Sequence, residues 1–316
     1  MVGKTTKHWL GAVAIFALGI GVTASAEAGS ATPISACPYT IEIPEGNYVV
    51  TGNLTSTGTC ITIRGRNHAL DLQGHTITGN GHGYGIVCLT DEVLCNTNVV
   101  ANGTVTHFSA GVFLDGNYNT VAQITSQQNT GLDSIDGTGV GIQLIGDFGN
   151  VIADSLATEN QGTGILGQPN SFATTVTNSQ SNGNGFHGIA AVGRVNNSTA
   201  NTNQGCGIYN AIIVTGATTK GNVGCGITLI PGNPSNGASV SDSTAAGNGG
   251  DGIQSGGGNV INSTANNNGG RGIVLTCPAS AYGNSAISNP GGNLVTSDNT
   301  CVLLDNKTVG KSNALP

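Results

Sequence analysis

A short hydrophobic motif, glycine followed by isoleucine or valine, recurs through most of the chain. Successive copies are separated by 26, 30, 23, 24, 19, 19, 26 and 20 residues. The copies are Gly85-Ile86, Gly111-Val112, Gly141-Ile142, Gly164-Ile165, Gly188-Ile189, Gly207-Ile208, Gly226-Ile227, Gly252-Ile253 and Gly272-Ile273. Apolar and polar residues alternate between them around Asn-Gly turns, which is typical of short β-strands. A period of this length indicates a repeat architecture.

Six of the copies end an ungapped pattern of fourteen residues with three further columns. The first column is valine or isoleucine (Ile152, Val176, Val195, Val214, Val240, Val260), the second is serine or alanine (Ser155, Ser179, Ser198, Ala217, Ser243, Ser263), and the third is asparagine (Asn160, Asn184, Asn203, Asn222, Asn248, Asn268). Coils of parallel strand stacked about 4.8 Å apart turn each column into a ladder. The pattern predicts an all-β fold, a right-handed parallel β-helix of about twelve coils.

Looser copies of the unit occupy the N-terminal part, in 60–63 and 70–79. With them, the sequence resembles the right-handed parallel β-helix proteins of the pectate-lyase-like superfamily over about residues 37 to 305. The resemblance implies the fold, and it implies a family of polysaccharide lyases, hydrolases and epimerases. Its motifs specify architecture and say almost nothing about chemistry.

The N-terminal residues 1–26 have the features of a secretory signal. Lys4 and Lys7 precede an apolar run of 14 residues, and Ala24-Ser25-Ala26 resembles a cleavage site. That run is shorter than the roughly 20 residues of a membrane span. We therefore expect a secreted or extracytoplasmic protein, in the periplasm or at the cell surface, with no membrane span. Residues 27–316 are expected to form a single β-helix domain with N- and C-terminal capping segments.

The eight cysteines test the register of the coils. Cys206 and Cys225 are 19 residues apart and both lie two residues before the repeat isoleucine, so they should stack within disulfide distance. By the same one-coil spacing we expect Cys37 to pair with Cys60 and Cys277 with Cys301, and the remaining pair, Cys88 and Cys95, to close a small loop. Zinc is the alternative, but no Cys-x-x-Cys occurs, and export favours disulfides.

Composition narrows the range of partners. Charged residues make up 8% of the chain and aromatic residues 4%, with a formal net charge of -7. An acidic chain without clustered lysine and arginine is not expected to bind nucleic acid. We expect a monomer whose rows of Asn, Thr, Ser and Gln suit a polysaccharide or glycan, with Tyr209, Tyr84 and Phe113 as sparse stacking surfaces.

Catalytic candidates come mainly from the resemblance, since in polygalacturonases and lyases of this fold the strand bearing the repeat isoleucine forms the cleft floor. Two residues before that isoleucine lie His187, Asp251 and Arg271, and the first two resemble fragments of polygalacturonase strands. Three coils separate His187 from Asp251, about 14 Å by strand spacing, too far for shared proton transfer. The alternative is a salt bridge between Asp251 and Arg271, with His187 as a surface residue.

A second candidate cluster lies near the N-terminus. Asp71 should point outward because Leu70 and Leu72 point inward, and Arg64 is expected beside it. An arginine can act as the base of a β-elimination when desolvated. The alternative is an exposed structural ion pair, which contributes little to stability.

Acidic residues dominate the N-terminal half. No Lys or Arg occurs between Asn67 and Gly193, whereas nine Asp and Glu do. Four of them are candidate Ca²⁺ ligands: Asp115, Asp133, Asp136 and Asp147. The alternative is a solvated acidic face, and Ca²⁺ is the one cofactor that the sequence raises.

These observations leave three functions open. The one we favour is glycan binding by an exported β-helix without a catalytic motif. The second is a polysaccharide lyase, hydrolase or epimerase, although the paired carboxylates that glycoside hydrolysis requires are not evident. The third is a structural or surface repeat protein.

Overall fold

The computed structural model describes residues 31–42, 45–89, 95–132, 139–168, 174–230 and 237–309, and the backbone of 313–314. The predicted signal segment 1–26 lies outside these ranges. The described residues form strands without helices, wound as a parallel β-solenoid of about eleven turns. The predicted parallel β-helix is thus confirmed, close to the expected twelve coils.

One sheet runs along the side of the solenoid that carries the repeat isoleucine, and we call it the isoleucine sheet. It has 13 parallel strands. Numbered in chain order, they are β2 (Tyr39–Ile41), β5 (Ile61–Ile63), β8 (Tyr84–Cys88), β10 (Ala110–Asp115), β12 (Ile142–Ile145), β15 (Ile165–Leu166), β18 (Ile189–Ala190), β21 (Ile208–Ala211), β24 (Ile227–Leu229), β27 (Ile253–Ser255), β30 (Ile273–Leu275), β33 (Leu294–Thr296) and β36 (Asn313–Ala314).

The other sheet has 23 strands and bends around the remaining sides, usually with two strands per turn. Its N-terminal members are β1 (Thr32–Ile34), β3 (Asn47–Val50), β4 (Leu54–Thr55), β6 (Ala69–Asp71), β7 (Thr76–Thr78), β9 (Val99–Thr106) and β11 (Thr120–Gln127). The next are β13 (Val151–Ala153), β14 (Leu156–Thr158), β16 (Thr175–Thr177), β17 (Gln180–Asn182), β19 (Arg194–Asn196), β20 (Thr199–Asn201), β22 (Ile213–Thr215) and β23 (Thr218–Lys220). The last are β25 (Ser239–Ser241), β26 (Thr244–Ala246), β28 (Asn259–Ile261), β29 (Thr264–Asn266), β31 (Ser280–Tyr282), β32 (Ser285–Ile287), β34 (Val302–Leu304) and β35 (Lys307–Val309).

Strand register confirms both apolar columns. Each repeat isoleucine or valine from Ile86 to Ile273 pairs with its counterpart on the next turn. The column from Ile152 to Val260 is likewise continuous. Members of both columns are at most 1% exposed, so they fill the narrow core. Each buried side chain of this type contributes about 1.5–3 kcal/mol of hydrophobic stabilisation.

The asparagine column forms a buried ladder at the turn before the isoleucine sheet. In each step the side-chain oxygen of one asparagine accepts from the backbone N–H and the side-chain N–H of its predecessor. The steps run from Asn129 through Asn160, Asn184, Asn203, Asn222, Asn248 and Asn268 to Asn289. The ladder satisfies turn groups that burial would otherwise leave unpaired.

The four predicted disulfides are present, joining Cys37 to Cys60, Cys88 to Cys95, Cys206 to Cys225 and Cys277 to Cys301. The Cα atoms of Cys206 and Cys225 are 4.4 Å apart, as expected for stacked positions. Four disulfides are typical of proteins that fold in an oxidising compartment. Over the described ranges, no helix has the length and apolarity to cross a membrane.

Candidate functional site

Side chains on the outer face of the isoleucine sheet are less exposed to solvent than those on the outer face of a sheet usually are. The residue after the repeat isoleucine points away from the core, yet most members of this column are between 2% and 9% exposed. They are Val87, Phe113, Gln143, Ala190, Thr228, Val274 and Val295. Tyr209 occupies the same column and is 36% exposed. Leu166 and Gln254 in this column are half-buried, and the column, which we call the outer column, is most open to solvent at Tyr209.

Three rings gather at this opening. The imidazole of His187 stacks on the phenol ring of Tyr209, with centroids 4.3 Å apart and planes within 8°. The ring of Phe186 lies 4.0 Å from the imidazole at a tilt of 46°, and Phe186 is 55% exposed. We call these three side chains the aromatic platform. Aromatic rings of this kind offer a large apolar surface at low entropic cost.

Local backbone geometry explains how the platform forms. Strand β21 contains a bulge. Ile208 pairs with Ile227 and Ala211 with Leu229, so two residues on β21 lie opposite a single residue on β24. Asn210, inside the bulge, has a φ of 54°. A bulge changes the local direction of a strand, and this one lies directly after Tyr209, which itself stays in register with Ala190 of the preceding turn.

The preceding turn has the same local geometry. Ala191 has a φ of 53°, and its N–H donates to the carbonyl of Tyr209 at 2.9 Å. Alanine seldom adopts this left-handed conformation, which costs on the order of 1–3 kcal/mol. The turn at Ala191 therefore stores backbone strain, whereas asparagine at position 210 tolerates this conformation.

The imidazole of His187 is held in one tautomer. Its Nδ1 accepts a hydrogen bond from the backbone N–H of Cys206 at 3.0 Å, so Nε2 carries the hydrogen of the neutral ring. A Cβ atom on Gly205 would lie 2.6 Å from Nδ1, so a glycine is needed there. Burial lowers the pKa of His187 below its ordinary value, which favours the neutral ring.

The other catalytic candidates do not join this platform. Asp251 stands three strand steps from the turn of His187, which confirms the predicted separation. Its carboxylate accepts from Arg271 Nη2 at 2.6 Å and from the Arg271 backbone N–H at 2.7 Å. The side-chain hydrogen bond to Asp251 raises the pKa of Arg271, and the charge of the carboxylate adds to this. The salt bridge predicted between these two residues is present.

The two N-terminal candidates, Arg64 and Asp71, do not pair with each other as expected. Arg64 follows β5 and pairs with Glu42 at 3.8 Å, with both side chains more than half exposed. Asp71 lies on β6 of the other sheet, where it accepts from the Gln73 backbone N–H at 2.7 Å and from the Asn102 amide at 3.2 Å. The expectation was wrong because the two residues lie on different sides of one turn.

Two of the four calcium candidates are described. Asp115 ends β10, and Asp147 follows β12 on the next turn. Asp133 and Asp136 lie outside the described residues. Within the ranges given above, no three His, Cys, Asp or Glu side chains come together as metal ligands.

The sequence pattern indicated Tyr209 and His187 separately and gave no sign that they stack. It also missed Phe186, although the adjacent Phe-His pair was a usable signal. A second signal is the spacing of the buried residues. At the bulge, two residues separate Ile208 from Ala211, whereas on the next turn one residue separates Ile227 from Leu229. Phe113, expected to be a stacking surface, is only 3% exposed, so it is too deeply buried to stack on a ligand.

Comparison with solved structures supports the architecture. The Dettilon tailspike protein superposes with a TM-score of 0.54 at 14% identity, over 85% of this chain and 60% of the tailspike. The catalytic unit of a GH87 α-1,3-glucanase from Streptomyces thermodiastaticus gives 0.50 at 14% identity, over 87% of this chain and 64% of the glucanase. The chain thus spans less than two thirds of either protein.

By sequence, no protein-family model and no curated protein matches the chain. At these identities the structural matches establish the fold alone. The resemblance to the pectate-lyase-like β-helix is thereby confirmed as a resemblance of fold.

Proposed function

We propose that this chain is an exported β-helix protein that binds a polysaccharide along the outer face of the isoleucine sheet, without catalysing its breakdown. The observation that carries the proposal is the aromatic platform. In a chain with 4% aromatic residues, three rings meet at the place where the outer column opens to solvent. The C–H face of a sugar ring packs on such rings.

The surroundings of the platform support binding over catalysis. Hydrolysis of a glycosidic bond needs two carboxylates on either side of the bond. The acidic candidate on this face, Asp251, is neutralised by Arg271 at 2.6 Å and lies three turns away. No carboxylate among the described residues contacts His187, and His187 alone does not supply both an acid and a base.

The structural neighbours agree with this class of ligand. One is an α-1,3-glucanase, which acts on a polysaccharide, and for this chain a related ligand is part of the proposal. Export through residues 1–26 would bring the protein to extracellular or cell-wall glycans, as the four disulfides also favour.

A glycan array probed with the labelled, disulfide-intact protein tests the proposal. We expect binding to at least one polysaccharide and at least tenfold weaker binding by Tyr209→Ala. Tyr282→Ala is the matched control, because Tyr282 is also exposed, at 47%, but lies on β31 of the other sheet. Assays for new reducing ends and for unsaturated uronates should remain at background. Turnover in either would make the chain an enzyme, and no binding at all would favour a structural role.

A further inference from the structure

The charges around the aromatic platform restrict what it can hold. The outer column contains no charged residue at any turn from Val87 to Val295. The column two residues before the repeat isoleucine contains Asp251 and Arg271, which neutralise each other. The nearest basic residues along the chain, Arg194 and Lys220, lie on β19 and β23 of the other sheet. The platform therefore offers no unpaired cation to a carboxylate-bearing sugar.

The charge of the whole chain acts in the same direction. The formal net charge is -7, so a polyuronate would be repelled unless a cation bridged it to the protein. A neutral sugar meets no such barrier. The apolar rings and the absence of local charge both favour an uncharged ligand.

His187 adds a directional group to the platform. Because Nδ1 accepts the Cys206 N–H, Nε2–H is the remaining donor, and it has no partner among the described residues. Stacking on Tyr209 and contact with Phe186 hold the imidazole plane. Gly205 and the Cys206–Cys225 disulfide hold the backbone against which it is fixed. A donor placed in advance loses little entropy on binding.

We propose that the aromatic platform binds a neutral hexopyranosyl polymer, in which a sugar ring packs on the exposed surface of Tyr209 and a sugar hydroxyl accepts a hydrogen bond from His187 Nε2–H. This inference rests on the proposed function and adds the ligand class and the residue that sets specificity. His187 acts as a positioning and recognition group, since a site built to hydrogen-bond a hydroxyl discriminates against ligands that lack it.

The test measures depletion of the intact protein from solution by two groups of polymers. The neutral group contains β-1,4-glucan, α-1,3-glucan, β-1,4-galactan and mannan. The acidic group contains polygalacturonate and alginate, each with and without Ca²⁺. We expect at least one neutral polymer to bind, and both acidic polymers to bind at least tenfold more weakly in either condition.

Four variants separate the contributions of ring and donor. Tyr209→Ala should weaken binding at least tenfold, whereas Tyr209→Phe, which keeps the ring, should stay within about twofold of wild type. His187→Phe keeps an aromatic ring but removes the donor, and the loss of one hydrogen bond should weaken binding about 2- to 10-fold. His187→Gln restores an N–H donor and should recover part of that loss. Thermal melts confirm that each variant is folded.

The outcomes are distinguishable. If the acidic polymers bind as well as the neutral ones, the neutral-sugar assignment is overturned. If folded His187→Phe binds like wild type, the recognition role of His187 is overturned. In both cases the proposed function stands. If a polymer binds but Tyr209→Ala does not weaken it, the platform is not the site. If no polymer in either group binds, the proposed function itself fails.

Discussion

Two regions of the solenoid differ on the outer face of the isoleucine sheet. The first is the pair of turns in residues 186–211, which carry the platform, and the second is the set of turns that follow Ile213. Both regions share the same internal columns. In both regions the asparagine ladder continues without a break. Yet only the earlier turns combine a left-handed alanine, Ala191, with a bulge, at Asn210. The comparison indicates that the interior specifies the fold, while departures from the repeat on the outer face arrange the candidate site.

The two regions also differ in how their polar groups are used. In the ladder each amide is buried and pairs with the protein, so it contributes to stability. At the platform, His187 pairs one nitrogen with the protein, and the other has no partner among the described residues. Changes inside should therefore affect stability first, whereas changes on the platform should affect binding first.

The largest effect is expected from Asn203→Ala. The amide of Asn203 is fully buried, donates to Ser181 O and Asn222 Oδ1, and accepts from Asn184. Its loss leaves buried turn groups unpaired, which costs about 2–3 kcal/mol. Urea unfolding followed by circular dichroism measures this loss.

The control for this prediction is Asn196→Ala. Asn196 lies at the end of β19, outside the ladder and half-buried, and its replacement should cost less than about 0.5 kcal/mol. Equal losses from the two variants would contradict the stabilising role of the ladder. A large loss from Asn196→Ala alone would mean that the surface of the 23-stranded sheet contributes more to stability than the ladder does.

The second prediction concerns acid and His68, which lies at the end of a second asparagine ladder formed by Asn98, Asn119 and Asn150. His68 is 1% exposed and donates its backbone N–H to Asn98 Oδ1, while its Nδ1 is buried without a partner in the described structure. Burial lowers the pKa of His68, and the hydrogen bond to the Arg64 carbonyl opposes this only in part. The folded chain thus takes up this proton less readily than the unfolded chain does.

The sign of the pH dependence follows from that difference. Stability is complete above the unfolded histidine pKa of about 6.5 and falls as pH drops below it, by about 1.4 kcal/mol for each unit of pKa difference. Urea melts at pH 7.5 and pH 5.5 should show a decrease, smaller in His68→Asn, which places a ladder residue at this position. An unchanged decrease in this variant would exclude His68 as the source.

Much of the interior was predictable from the sequence, because its physics repeats. Each isoleucine, serine and asparagine column places the same residue in the same environment, so register, core and disulfide pairing all follow from spacing. The platform was not predictable in this way. Its geometry depends on a bulge at Asn210 and on the stacking of rings from two turns, and neither recurs in the pattern. The wrong pairing of Arg64 with Asp71 has a related cause, since the first turns deviate from the regular unit.

The smallest effect is expected at the ion pair between Asp251 and Arg271, on the same face as the platform but three turns away from His187. The Arg271 side chain is 34% exposed and that of Asp251 17%, so solvent screens much of their attraction. Asp251→Asn keeps an oxygen that can accept the Arg271 backbone N–H, and it should cost less than about 1 kcal/mol. In 0.5 M NaCl this difference should shrink further, because salt screens the charge that the substitution removes.

Polysaccharide binding should be unchanged in Asp251→Asn, since Asp251 does not contact the platform. A large loss of binding by a folded Asp251→Asn would extend the site along the sheet and return this carboxylate to the list of catalytic candidates.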